Sequence, residues 1–391
     1  MKVDIKKVKQ TIKKLDIPPE YFRLDLDKFF TRDYTMLLSI RQDAGKTTQA
    51  LLLGLVLFKE YGITTEYLRN DNAQITRKDI ENLYGVVVKF GYIQKLYGVQ
   101  YNDIEYKQNQ KKFFLVHKDE DGNIDNTCYE PLCAVHSNEN WRNLKSSYNN
   151  PNGDYIVLDE FMDTSRATYH IFTEFMNNIS TIGRPDAPGR EPHVLMLGNN
   201  SDQYCFWFDD FCISDQIANL RYGGAIEMTT DLGTTLYCSL LEPSETQKQR
   251  KENKKIKFFG FNTRKAAQFI GTVEWSGNNW QHLDFDLDYN ELVFRRLYIK
   301  HRGRYIQIEV FDNEEKGRFL FFHFAREPQL DDNVILTLEP SRFNEVYGMG
   351  DYSPKIWKRL KKIFQLRVQN RAYYSSNMVG ELVADYIKNC K

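Results

Sequence analysis

The 391-residue chain carries 53 Lys and Arg against 53 Asp and Glu, and its 41% hydrophobic content is ample for two or three domains of ~150 residues each. Its longest apolar run, residues 50–58, is too short to cross a bilayer, and the lysine-rich start has no apolar segment behind it, so neither a membrane span nor a secretory leader is expected. Six cysteines without a CxxC spacing and seven scattered histidines exclude a disulfide scaffold and a structural zinc site, leaving the reading of a reduced, cytoplasmic protein.

Residues 1–32 form a charged lead, helical over about 4–15, with no function legible in it. Residues 34–48 (YTMLLSIRQDAGKTT) then read as a buried strand, a loop, and the start of an Ala/Leu-rich helix that continues to residue 61. A loop in that position wraps phosphates with backbone N–H groups and a helix N-terminus. Gly45, Lys46 and Thr47 stand in the order this chemistry needs, Lys46 to reach the terminal phosphates of ATP and Thr47 to bind Mg²⁺. The loop is divergent, because Ile40 occupies the place of its first glycine and Asp43 puts an acid beside the expected triphosphate. Arg41 and Thr48 are also assigned to the nucleotide, with Asp43 as an alternative salt-bridge partner for Arg41.

The strand candidate 66–70 (EYLRN) ends near Arg69, likewise assigned to the nucleotide. Residues 112–117 and 132–137 suggest a hairpin around the turn DEDGN, residues 119–123. Residues 154–161 (DYIVLDEF) put Asp159 and Glu160 at the carboxyl end of a second buried strand, where open α/β sheets bind ligands. Asp159 is expected to hold Mg²⁺ through its water shell, and Glu160 to orient and deprotonate the attacking water. A third strand, 193–197 (HVLML), runs into Gly198-Asn199-Asn200. Asn199 is expected to touch the γ-phosphate or the catalytic water, with an ordinary turn asparagine as the alternative. The order of these elements predicts an α/β P-loop ATPase of the additional-strand, RecA-like (ASCE) class over residues 33–215.

Residues 216–257 read as a linker or lid region that ends in the basic run KQRKENKKIK. In residues 258–391, strand-like runs at 296–301, 305–311, 318–324 and 333–338 precede helices at 354–367 and 376–388, the pattern of a small α+β domain. The first of these helices leaves Lys355, Lys358, Arg359, Lys361 and Lys362 off its apolar face. They form either a solvated surface or one for nucleic-acid phosphates. A nuclease needs several carboxylates converging on two metal ions. The strand 296–301 (RLYIKH) has none, Glu309 stands alone, and Asp284, Asp286 and Asp288 lie upstream in a turn-like setting, so cleavage is not expected.

The loop 40–48, the Tyr67-Leu68-Arg69 strand end, Leu144-Lys145-Ser146, IVLDEF (156–161), Thr181-Ile182-Gly183-Arg184 and LGNN (197–200) together resemble the DNA-packaging (encapsidation) ATPases of small Picovirinae-type tailed bacteriophages. The resemblance continues through about 297–388 in the order of strands and helices. It implies an ATP- and Mg²⁺-dependent motor that drives double-stranded DNA into a procapsid. The implied assembly is a homo-oligomeric ring, a pentamer, working in the host cytoplasm at the portal (connector) vertex with a structural packaging RNA. It also implies an RNase H-like, vestigial nuclease fold for the C-terminal domain, Arg184 as a trans-acting arginine finger, and Lys145 facing the neighbouring subunit's nucleotide. Three other readings share the phosphate loop: a helicase or plasmid-transfer translocase, a large terminase with an active nuclease, and a scaffold that binds nucleotide without hydrolysing it.

Overall fold

The computed structural model of the protein describes residues 3–19, 21–39, 45–76, 80–144, 148, 150–162, 171–184, 190–200, 205–243, 280–328, 333–341, 345–347, 361, 362 and 364–390. The chain divides into two compact units between residues 276 and 277. Among the described residues no helix is long and apolar enough to cross a membrane.

In the first unit ten strands form one sheet. They are β1 (Tyr34–Ser39), β2 (Thr65–Arg69), β3 (Asp103–Lys107), β4 (Lys112–Lys118), β5 (Ile124–Thr127), β6 (Cys133–Ser137), β7 (Tyr155–Asp159), β8 (His193–Asn199), β9 (Ala225–Thr229) and β10 (Thr235–Leu240). The sheet order is β3-β4-β6-β2-β7-β8-β1-β10-β9, with β5 paired to β4. From β6 to β10 every neighbouring pair is parallel. The carboxyl ends of β1, β2, β7 and β8, at Ser39, Arg69, Asp159 and Asn199, therefore share one edge. β8 lies between the loop strand β1 and the Asp-Glu strand β7.

β1, β7 and β8 read as largely apolar runs because both faces of the sheet are covered there. Leu37, Tyr67, Val157 and Leu195 pack on one side with Leu51, Leu52, Leu55 and Val56 of the helix Lys46–Tyr61. Met36, Leu68, Ile156 and Met196 pack on the other with Ile171, Phe175 and Ile179 of the helix Ile171–Ile182 and with Trp207. Gly45 starts the first of these helices at φ +71, and a Cβ there would meet the Tyr21 ring at 2.7 Å. Backbone and space both require glycine at that position.

Three sequence expectations about this unit need correction. The 1–32 lead is part of its core: Asp4 caps the helix Ile5–Lys13, and Val8, Leu15 and Phe29 are fully buried in the same cluster as the helix Lys46–Tyr61. The region 216–257 is not linker throughout, because β9 and β10 form an antiparallel pair and β10 extends the sheet beside β1. The short strand TLYCSL carries the apolar pattern for this, but the basic run after it dominated the composition. The hairpin around residues 119–123 joins β4 to β5, while β6 pairs β4 only at Lys112↔Ala134 and Phe113↔Cys133 and continues the parallel sheet beside β2. The linker run 248–257, and Arg41, Lys145, Lys355, Lys358 and Arg359, lie outside the described residues.

The second unit is built on β11 (Leu292–His301), β12 (Arg304–Asn313), β13 (Gly317–Ala325), β14 (Val334–Thr337), β15 (Glu345–Tyr347) and β16 (Ala372–Tyr374). Their order is β15-β14-β11-β12-β13-β16. β11, β12 and β13 are an antiparallel meander, β14 runs parallel to β11, and β15 parallel to β14. The two-residue turn Arg302-Gly303 has both φ values positive, the twist that suits a tight hairpin. The helix Asn377–Asn389, capped by Ser376, buries Val379, Leu382, Val383 and Tyr386. The three Asp positions 284, 286 and 288 precede β11 outside any strand, as the sequence suggested.

Candidate active site

The carboxyl edge of the parallel sheet gathers most of the residues that the sequence singles out. Lys46, in the first turn of the helix after β1, donates to the Ser39 hydroxyl and, at 3.3 Å, to Asn199 Oδ1. Burial pushes its ammonium down to about 8, against the opposing pull of Asp159 and Glu160. Thr47 donates its hydroxyl to Asp159 Oδ2 at 2.9 Å, and Thr48 follows half-buried in the same turn. The loop strand, the Asp-Glu strand and the asparagine strand thus meet through side chains as well as backbone.

Asp159 is 2% exposed and closely held. Its Oδ2 also accepts from the Tyr67 hydroxyl at 2.7 Å and from Arg69 Nη2 at 3.2 Å, and its Oδ1 accepts from the Glu160 N–H at 3.0 Å. Arg69 Nε in turn donates to the Tyr67 oxygen at 3.0 Å, and its Nη1 pairs with Glu160 Oε2. Burial, and next the Asp159 charge, raise the Tyr67 hydroxyl well above its ordinary pKa, so it stays a donor. Tyr67 and Arg69 are two apart on β2 and therefore share a face, a signal present in the sequence but not used there.

Glu160 has φ +54, a left-handed backbone that costs a non-glycine residue about 1 kcal/mol or more. The turn is held by the Phe161 N–H on the Leu197 carbonyl at 3.2 Å and by Asn70 Nδ2 on the Phe161 carbonyl at 2.9 Å. Glu160 keeps 43% of its side chain exposed while Asp159 is enclosed. One acid is enclosed and the other is partly open to solvent. Thr47 and Asp159 offer hard oxygen donors side by side, which suits Mg²⁺.

Arg184 is not drawn into this cluster. Its described hydrogen bonds run to the Thr181 carbonyl at 3.3 Å and the Tyr148 carbonyl at 2.7 Å, and its own φ is +42. Lys361 and Lys362 are exposed on the second unit.

No family model matches the chain, and no curated protein does. Among solved structures, the Phi-28 gp11 DNA packaging motor superposes with a TM-score of 0.56 at 14% identity, over 93% of this chain and 97% of that one. The chain shares the fold of a phage DNA-packaging motor protein. The bacteriophage Phi-29 viral genome packaging motor assembly gives the same TM-score of 0.56 at 15% identity, over 95% of this chain and all of that one. The N-terminal domain of the DNA packaging ATPase from bacteriophage phi29 gives a TM-score of 0.42 at 15% identity, over 57% of this chain and 98% of that chain. The likeness to the first two motor proteins spans both units.

Proposed function

We propose that this chain is the ATPase of a phage packaging motor, a ring whose subunits hydrolyse ATP at their interfaces and drive double-stranded DNA through the portal into a procapsid. The observation that carries this reading is the meeting of Lys46, Thr47, Asp159, Glu160 and Asn199 at one sheet edge, in a chain with the packaging-motor fold. In it Lys46 neutralises the terminal phosphates. Thr47 and Asp159 hold Mg²⁺, which when bound draws charge from the phosphate oxygens. Glu160 takes the proton of the attacking water, and Asn199, tied to Lys46, touches the γ-phosphate or that water.

Arg184 is the arginine presented to the neighbouring subunit's nucleotide, a reading supported by its described hydrogen bonds running to carbonyls and not to Asp159 or Glu160. The sequence resemblance adds Lys145 beside it, the pentameric ring, the packaging RNA and the place of work at the portal vertex in the host cytoplasm. Arg41 belongs to the phosphate loop. The second unit is an RNase H-like domain that grips nucleic acid with Lys355, Lys358, Arg359, Lys361 and Lys362. Its meander of three antiparallel strands, extended by two parallel ones on the first, supports that fold. Among the described residues its buried carboxylates each have a basic neighbour, Asp385 with His301 at 2.6 Å, Glu345 with Lys300 at 2.7 Å and, more loosely, Glu309 with His323 at 3.4 Å, which supports binding without cleavage.

The test is ATP turnover by the purified protein with procapsids, with and without double-stranded DNA. DNA-stimulated hydrolysis together with protection of the DNA from added nuclease is expected. Nucleotide binding without turnover under all conditions would instead identify a scaffold, and strand separation a helicase.

A further inference from the structure

Strand β2 carries a second polar cluster, on the face opposite Tyr67 and Arg69. Glu66 is 0% exposed in the middle of the sheet, between β6 and β7. A carboxylate there is costly to bury unless its oxygens are fully engaged. They are. Oε2 lies 2.7 Å from His136 Nε2 on β6, the Tyr148 hydroxyl donates to both oxygens at 2.7 and 2.8 Å, and Asn150 Nδ2 donates to Oε1. Gly153 leaves room for the carboxylate, since a Cβ there would collide with Oε1.

The chain that Glu66 gathers is the seat of Arg184. The Tyr148 carbonyl accepts from Arg184 Nη2 at 2.7 Å. Arg190 fastens the same stretch to the end of the helix Ile171–Ile182. It pairs with the Asp154 carboxylate and donates to the carbonyls of Asn150 at 2.9 Å, Gly153 at 3.1 Å and Ile182 at 3.3 Å. Arg184 itself stands at a strained φ of +42, a conformation that persists only where its surroundings over-determine it.

We propose that Glu66 and Tyr148 are positioning residues for Arg184: the buried carboxylate pins the Tyr148 side chain, and the Tyr148 carbonyl then aims the guanidinium toward the adjoining subunit. This rests on the reading of Arg184 as an arginine acting in trans. The burial of a carboxylate on the face of β2 opposite Tyr67 and Arg69 is thereby given a function that stability alone does not supply. A guanidinium that must meet a γ-phosphate across an interface needs its backbone held to a fraction of an ångström, because small misplacements cost large factors in rate.

The test uses full-length rings. Tyr148→Phe removes the hydroxyl and keeps the ring and the carbonyl, and Glu66→Gln keeps the shape and removes the charge. Each is expected to lower turnover about tenfold with unchanged affinity for a fluorescent ATP analogue. The deciding arm mixes each variant with Glu160→Gln subunits, which keep an intact Arg184. Turnover above the sum of the separate preparations is expected, as it is for Arg184→Ala subunits mixed in the same way. A defect confined to the variant's own fold would not be relieved by a neighbour's arginine. If Arg184→Ala mixtures recover activity and Tyr148→Phe mixtures do not, the positioning role is overturned and the trans reading stands. If Arg184→Ala mixtures also fail, the trans reading falls and the positioning role with it.

Discussion

Arg69 and Glu160 are joined by a direct ion pair at the carboxyl edge of the sheet, while the same guanidinium lies 3.2 Å from Asp159. One cation on β2 therefore bridges both acids of the site and offsets part of their charge. Mg²⁺ and the attacking water would meet carboxylates that are already oriented.

Replacing Arg69 by Ala leaves Asp159 enclosed without its cation, which costs about 2 kcal/mol once the partial exposure of Glu160 is discounted. The melting point of the nucleotide-free protein should fall by roughly 5 °C, as seen by calorimetry. Mg²⁺ with a non-hydrolysable ATP analogue should restore more of that loss in the variant than it adds to wild type, because the metal supplies the missing charge. Equal ligand-induced shifts in both proteins would remove Arg69 from the electrostatics of the site.

Glu160→Gln should retain ATP and Mg²⁺ binding and lose turnover by roughly 10²–10⁴-fold, since a carboxamide can orient a water but cannot accept its proton. Single-turnover kinetics separates the two steps. Hydrolysis within a few-fold of wild type would take Glu160 out of the mechanism.

Lys46 gives a pH signature. Its folded pKa of about 8 lies below the ordinary lysine value, so between about 8 and 10 the unfolded chain holds a proton that the nucleotide-free folded chain has lost. Stability of the nucleotide-free protein should rise with pH across that window. Affinity for ATP should fall there by up to about tenfold per pH unit, because the phosphates need the charged form. Calorimetry at pH 9 in buffers of different ionisation enthalpy should show uptake of close to one proton on binding, an uptake that Lys46→Ala abolishes.

Nucleic-acid binding by the full chain should depend steeply on salt and little on sequence. Charge reversal at Lys358, Lys361 and Lys362 should flatten the slope of log K against log salt by about 0.9 for each phosphate that is no longer neutralised. An unchanged slope would place the DNA grip elsewhere on the chain.

Much of the site was legible in the sequence because strand ends of a parallel sheet converge by construction. With the stretch before the phosphate loop, 155–158 and 193–197 read as buried strands, Lys46, Thr47, Asp159, Glu160 and Asn199 all fall just beyond strand ends, and the parallel order of the sheet brings those ends to one edge. The local chemistry of each residue type then suggests a part for it.

The tertiary structure decided what depends on pairing between distant segments. That β10 lies beside β1, that the lead buries Val8 and Phe29 beneath the sheet, and that β6 runs parallel to β2 are choices of strand neighbour, on which local periodicity is silent. The same holds for charge. In the sequence Arg69 is a cation at a strand end and Glu66 an acid in an apolar run. Only the packing of β2 between β6 and β7 gives the first to Asp159 and Glu160 and buries the second against His136 and Tyr148.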